Sequence, residues 1–285
     1  MFVNDNKIKS VRAYFREKLK DSFDNGEIRY LTNLSLESVL GKSKTDLLLM
    51  QEETVSESDL LKFRSIIKDL LSQKPIQYIL GETEFCGLNI LVNESVLIPR
   101  PETEELISII QSDQKELSNI LDIGTGSGCI PLALKNSFPD SKVNGMDVSE
   151  EALKVARSNA KGLNLQVDFV LDSILDPTTD FQEPFDLIVS NPPYVLESDK
   201  ADMFENVLKH EPHLALFVPD DDPLLFYKAI LKFSEKNLKE GAWLYFEIHE
   251  DSAIQIKQLF LDAGYDFVEI HQDFYGKDRI VKGRK

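Results

Sequence analysis

"NILDIGTGSGCIPLALKNSF", residues Asn119 to Phe138, changes its periodicity halfway along. Asn119 to Ile123 is a short apolar run of the kind that fills a buried strand, and Cys129 to Phe138 places apolar residues at helical spacing. Gly124, Gly126 and Gly128 lie between the two. Glycine lets a backbone turn sharply and approach a ligand with no Cβ in the way. Strand, glycine turn and helix form one βα unit, and the downstream chain repeats the pattern. "KVNGMD" reads as a strand, "SEEALKVARSNAKGL" as a helix with Ser149 as N-cap, and "VDFVL" and "FDLIVS" as strands. "PLLFYKAILKFSEKNL" is a helix before the strand "AWLYFEIH", and a helix over 251–263 precedes strands near 266–272 and 278–282. The last two strands are too close for a crossover helix and must pair antiparallel. The expectation is an α/β protein with a Rossmann-like, seven-stranded, mostly parallel sheet and an antiparallel final strand. Ligands then bind at the carboxyl ends of the strands.

Upstream the pattern differs. Residues 1–74 predict a small helical domain, with Thr45 and Ser58 as N-caps and Gly26 and Gly41 as breakers. Residues 75–98 turn to β character, and the Cys86-Gly87 pair inside "QYILGETEFCGLNILV" marks a hairpin-like connector. The βα repeat then occupies 99–285.

Composition limits the function classes. The chain has 285 residues, 42% hydrophobic and 28% charged, with a net charge of −17. A balance this acidic argues against broad adhesion to nucleic acid or anionic membrane. Cys86 and Cys129 are the only cysteines and lack metal-type spacing, so two reduced structural thiols are expected. The start of the chain, Met1 to Lys7, carries no apolar leader, and no segment reaches membrane-spanning length. A soluble, cytoplasmic protein is the expectation.

The glycine turn predicts a ligand. Its GxGxG spacing differs from the dinucleotide pattern and no phosphate-loop Lys follows, which disfavours a diphosphate. Asp147 ends the next strand, where an acidic side chain can accept bonds from ribose hydroxyls. Asp172 and Ser173, after the third strand, would border an adenine. Together they fit an adenosine ligand without phosphate, namely S-adenosylmethionine, with Gly124, Gly126, Gly128, Asp147 and Ser173 as candidate binding residues.

The fourth strand ends in "SNPPYV". Two prolines fix φ and remove donors, leaving a stiff array of acceptors. The Asn191 side-chain oxygen and the Pro192 carbonyl can both accept from one planar NH2 group, with Pro193 beside it and Tyr194 stacked on the group that carries it. Such a nitrogen is a poor nucleophile because its lone pair is delocalised. Acceptors that draw it toward tetrahedral geometry, in line with a sulfonium methyl, favour the transition state over the ground state. Asn191, Pro192 and Tyr194 are therefore the candidate catalytic residues, and Asn191 to Tyr194 the candidate substrate site.

"LDIGTGSGCI", "FDLIVSNPPYV", "QYILGETEFCGLNILVNESVLIPRPETEEL" and "GKDRIVKGR" resemble the release-factor glutamine N5-methyltransferases, the HemK/PrmC family of class I S-adenosylmethionine-dependent methyltransferases. The resemblance spans about residues 74–285. It implies methyl transfer to the side-chain amide of the Gln in the Gly-Gly-Gln loop of peptide chain release factors, and it adds Thr125, Ser127 and Asn191 to Gly124, Gly126, Gly128 and Asp147 as cofactor-binding positions. Residues 1–74 carry no motif for chemistry, so their expected task is to recognise that partner. NPPY is shared with nucleic-acid amino-methyltransferases acting on adenine N6 or guanine N2, so that reading stays open; no direct nucleic-acid partner, membrane or metal is expected. A non-catalytic adenosine-binding module would not need NPPY. Other features carry less: "HEPH", His210 to His213, reads as a loop near the site, and Asp220 to Asp222 as a solvated flank of a helix. Arg100, Glu102 and Thr103, at the start of a helix with Pro101 in its first turn, serve either as caps or beside the ligand.

Overall fold

A computed structural model describes residues 5–285, the side chain of Asp202 excepted. The first four positions of the expected helical part, Met1 to Asn4, lie outside the described residues. By internal contacts the chain divides into two units, 1–81 with 205–210, and 82–204 with 211–285.

The first unit is helical: α1 (Ile8–Leu19), α2 (Asn25–Leu40), α3 (Lys44–Leu49), α4 (Glu57–Leu71) and α5 (Ile76–Leu80). Ile8, Val11, Phe15 and Leu19 recur every three or four residues, so α1 buries one stripe. Phe15 meets Phe63 of α4 edge to face, with ring centroids 6.0 Å apart. The helices start two residues earlier than the sequence predicts. Ser43 and Ser56, rather than Thr45 and Ser58, accept from the N–H groups of Asp46 and Asp59. Each serine hydroxyl also donates to that same aspartate at 2.7 Å, a closed pairing that neither expected cap makes. Asp24 caps α2, so Gly26 sits in its first turn rather than breaking a helix. Gly41 ends α2 with φ +61°.

In the second unit β1 (Glu82–Phe85) and β2 (Leu88–Leu91) form an antiparallel hairpin. Its two-residue turn is Cys86-Gly87, both at positive φ. The β character begins at Glu82, not at 75, because Pro75 starts and Gly81 stops the short helix α5. Both cysteines are free, and burial pushes each thiol up to about 12.

The remaining elements are α6 (Pro101–Asp113), β3 (Asn119–Ile123), α7 (Cys129–Ser137), β4 (Lys142–Asp147), α8 (Glu150–Leu163), β5 (Asp168–Leu171) and β6 (Phe185–Ser190). They continue with β7 (Val195–Leu196), α9 (Glu205–His210, which groups with the helical unit), β8 (Phe217–Val218) and α10 (Leu225–Asn237). The chain closes with β9 (Leu238–Glu247), α11 (Ala253–Asp262), β10 (Phe267–Gln272) and β11 (Asp278–Arg284). Seven strands form one sheet in the order β10-β11-β9-β6-β3-β4-β5. All pairs are parallel except those of β11, which runs antiparallel between β9 and β10. β3 is buried along its whole length, as a strand covered on both faces must be. From β3 the chain proceeds outward through β4 and β5, then crosses back to β6 on the other side. That reversal leaves a crevice at the carboxyl ends of β3 and β6.

Packing at the far side of the sheet is tight. A Cβ built on Gly283 of β11 would stand 2.3 Å from Phe260 Cδ1 and 2.9 Å from Tyr265 Cδ1. Phe260 is fully buried and stacked edge to face on Tyr265, so it has nowhere to retreat. We expect Gly283→Ala to cost about 1–3 kcal/mol by overpacking, read as a clear fall in Tm by calorimetry. An unchanged Tm would mean that the ring yields freely.

Candidate active site

The glycine turn is built by the strand next to it. Gly124 and Thr125 both donate their N–H to the Met146 carbonyl of β4, at 2.8 and 3.0 Å, and Gly128 donates to the Thr125 carbonyl at 2.8 Å. Gly124 and Gly126 have φ of +77° and +53°, and a Cβ on either would meet nothing within 4 Å. Both line a cavity at the crevice, so open space lies beside their backbone. Gly128 differs. Its φ is also positive, but a Cβ there would press on Ala156 at 3.0 Å, so it serves the packing of the turn against α8.

Asp147 at the end of β4 braces this turn. Its Oδ2 accepts from Gly126 N at 2.8 Å and its Oδ1 from Ser149 N at 2.9 Å. Each carboxylate oxygen keeps a lone pair for a further donor. Burial raises its pKa, against those backbone bonds. The Asp172 carboxylate accepts from the N–H groups of Ser173, Thr178 and Thr179, which folds the following loop back on itself. Ser173 and Ile174 then line the cavity, with Val148 and Ala152 beside them.

The NPPY segment reaches the same cavity. Ser190 Oγ donates to the Ile123 carbonyl at 2.6 Å, tying the end of β6 to the end of β3. Asn191, Pro192 and Pro193 line the cavity together with Gly124, Gly126 and Asp147. Asn191 Nδ2 donates to Thr103 Oγ1 at 3.3 Å, and Thr103 Oγ1 donates to Glu247 Oε2 at 2.6 Å. Glu247 is buried, and burial pushes its carboxyl up to about 7, with the Thr103 bond and Arg279 opposing and Glu102 adding to the rise.

The other sequence candidates fall partly on and partly off the cavity wall. Thr125 and Ser127 are buried below the turn, off the cavity wall. Tyr194 packs against the sheet core with its ring 6.0 Å from His249, and burial raises its phenol well above the ordinary value. In "HEPH", Glu211 is buried in an ion pair with Arg100 at 2.7 Å, and Pro212 and Leu214 reach the cavity wall. Among the described residues no group of three or more His, Cys, Asp or Glu is placed to hold a metal. Asp222 pairs with Lys228 on α10. Glu247, Thr103 in its bonding role, and the apolar wall of Phe226 and Ile230 were missed by sequence reasoning. The one available signal was an acid closing the apolar run "AWLYFE".

The strand order, the glycine turn and the NPPY wall define a class I methyltransferase. A methyltransferase from Pyrococcus furiosus has the same fold, with a TM-score of 0.53 at 22% identity over 70% of this chain and 89% of that one. Residues 101–214 match the methyltransferase small domain, and residues 11–81 the PrmC N-terminal domain. A release factor glutamine methyltransferase of Flavobacterium psychrophilum is 41% identical over 280 residues, covering 96% of this chain and 98% of the relative. One from Bacteroides thetaiotaomicron is 40% identical over 275 residues, covering 96% and 99%. The chain belongs to the release factor glutamine methyltransferase family. No helix among the described residues is long and apolar enough to cross a membrane.

Below the glycine turn, Asp122 is fully buried and neither oxygen has a hydrogen-bond partner. Burial pushes this carboxyl up to about 7; the nearby Thr125 hydroxyl, short of hydrogen-bond geometry, pulls it down and Asp147 adds to the rise. A carboxyl whose pKa is higher folded than unfolded contributes stability below about pH 4, and that contribution is lost as pH rises through about 7. We therefore expect Asp122→Asn to flatten the pH dependence of Tm between pH 4 and 8. The variant should gain on wild type steadily across that range. Parallel curves would place the titration elsewhere.

Proposed function

We propose that the enzyme transfers a methyl group from S-adenosylmethionine to the side-chain N5 of the Gln in the Gly-Gly-Gln motif of peptide chain release factors. One observation carries this reading: the glycine turn with Asp147 and the Asn191-Pro192-Pro193 segment line a single cavity. The residues present fit an adenosine-bearing methyl donor. Gly124 and Gly126 offer backbone with no side chain in the way. Asp147 keeps acceptor capacity for ribose hydroxyls. Ile174, Val148 and Ala152 give an apolar wall beside Ser173 for a flat base. Thr125, Ser127 and Gly128 shape the turn from below.

S-adenosylmethionine supplies an electrophilic sulfonium methyl. The chain's part is to prepare the nucleophile. Asn191 Oδ1 and the Pro192 carbonyl accept the two amide hydrogens of the substrate glutamine and hold its nitrogen in line. As the nitrogen gives up its conjugation and gains positive charge, these acceptors bind it more strongly than in the ground state. The amide proton leaves after transfer, so no general base is required. Tyr194, packed behind the segment, stiffens it. The helical unit, which carries neither motif, is the part that grips the release factor.

The direct test supplies labelled S-adenosylmethionine with release factor, duplex DNA or ribosomal RNA. Label on the Gly-Gly-Gln glutamine of the release factor supports the reading; label on either nucleic acid alone overturns it in favour of a base amino-methyltransferase. For Asp147→Ala, loss of a hydrogen bond to a charged group, on the order of 1.5–3 kcal/mol, predicts S-adenosylmethionine affinity about 10- to 100-fold weaker by calorimetric titration. Unchanged affinity in the folded variant would remove Asp147 from the site. For Asn191→Ala, we expect kcat to fall about 10²–10³-fold, the typical effect of removing one preorganised polar contact, with cofactor affinity within a few-fold. Near wild-type turnover would end the amide-clamp mechanism.

A further inference from the structure

The side chain of Asn191 has two ends, and only its oxygen can accept a hydrogen from a substrate amide. Three buried or half-buried groups decide which end faces the cavity. Glu247 closes β9 and is buried, as is Thr103 in the first turn of α6. Thr103 has a single hydroxyl proton, and it goes to Glu247 Oε2 at 2.6 Å. What remains of that hydroxyl toward Asn191 is lone pairs, and Asn191 Nδ2 donates to them at 3.3 Å. Reversing the amide would set Oδ1 against those lone pairs and toward a negative carboxylate. The NH2 end is thereby held inward, and Oδ1 is left as the free end of a residue that lines the cavity.

We propose that Glu247, acting through Thr103, is a positioning residue that fixes the Asn191 amide with its oxygen toward the substrate. This rests on the function proposed above, in which Asn191 Oδ1 accepts from the glutamine amide. The relay is directional. Above about pH 7, where the Glu247 carboxyl is ionised and can only accept, carboxylate, hydroxyl and amide each have one role. Arg279 faces Glu247 and favours its ionised form, Glu102 opposes it as a like charge, and the Tyr227 hydroxyl donates to the Glu247 backbone carbonyl at 3.2 Å.

The test uses the full-length chain, release factor and labelled S-adenosylmethionine, with kcat, KM and cofactor affinity read separately. Thr103→Val keeps the shape and removes the relay, and kcat should fall about 10- to 100-fold, the scale of a misplaced reacting group, with KM and cofactor affinity within a few-fold. Thr103→Ser restores the hydroxyl and should return kcat to within a few-fold of wild type. In an Asn191→Ala background, Thr103→Val should cost nothing further, because its effect passes through that amide. A Thr103→Val enzyme at wild-type kcat overturns the proposal, as does an equal additional loss in the Asn191→Ala background. If Thr103→Val does not fold, Glu247→Gln carries the test. Its amide presents NH2 to Thr103 as readily as oxygen and frees the Thr103 proton to draw Oδ1 inward, so kcat should drop about tenfold or more, and wild-type kcat overturns the proposal. Failure of the underlying reading looks different: Asn191→Ala itself would keep its turnover.

Discussion

The pairing of β3 with β6 is the constraint on which the site depends. β3 connects onward to β4 and β5 on one side, while β6 begins the other half of the sheet. Connections leaving two adjacent parallel strands in opposite directions cannot close over the gap between them. The register sets Ile123 opposite Ser190, and the Ser190 hydroxyl bond to the Ile123 carbonyl locks the two carboxyl ends level. The glycine turn after one strand and NPPY after the other are thereby brought to one cavity.

The segment beyond NPPY is fixed by chain that comes later. Two prolines supply no N–H, so the segment's first regular backbone bond runs from Val195 N to the Leu216 carbonyl, at 3.0 Å, beside the short β7–β8 pair. The same returning segment brings Pro212, Leu214 and Ala215 to the cavity wall. Glu211 anchors it, accepting from Arg100 at 2.7 Å. Stiffness that begins as the covalent geometry of Pro192 and Pro193 is thus extended through one buried ion pair to the start of α6.

The strands were legible because buried parallel strands read as short apolar runs, and all seven stand near their expected places. The glycine turn and NPPY were legible because their residue types are costly anywhere else. Boundaries were not: Ser43 and Ser56 cap their helices because each closes a pair with an aspartate three residues on, while Thr45 and Ser58 offer the same chemistry two positions late. β9 begins at Leu238, four residues before the apolar run suggests, where its pairing with β6 shifts register. Glu247, Thr103 and Phe226 meet the site from three distant elements, and no local pattern records such a meeting. Tyr194 is half-buried and packs against the sheet core, surroundings that its neighbours in the sequence do not announce.

Two acids stand out against this background. Asp122 near the end of β3 and Glu247 at the end of β9 are both buried among mainly apolar strand neighbours. Burying a carboxyl costs stability, and an apolar side chain at either position would pack without that cost. The first lies under the glycine turn and the second behind Asn191. Packing alone therefore does not account for them. A sheet with a core this extensive can carry two destabilising acids, and local rules are broken where a site needs polarity that the fold does not. At Glu247 the geometry shows a buried acceptor at the head of a chain of hydrogen bonds that ends on Asn191, a residue of the cavity wall.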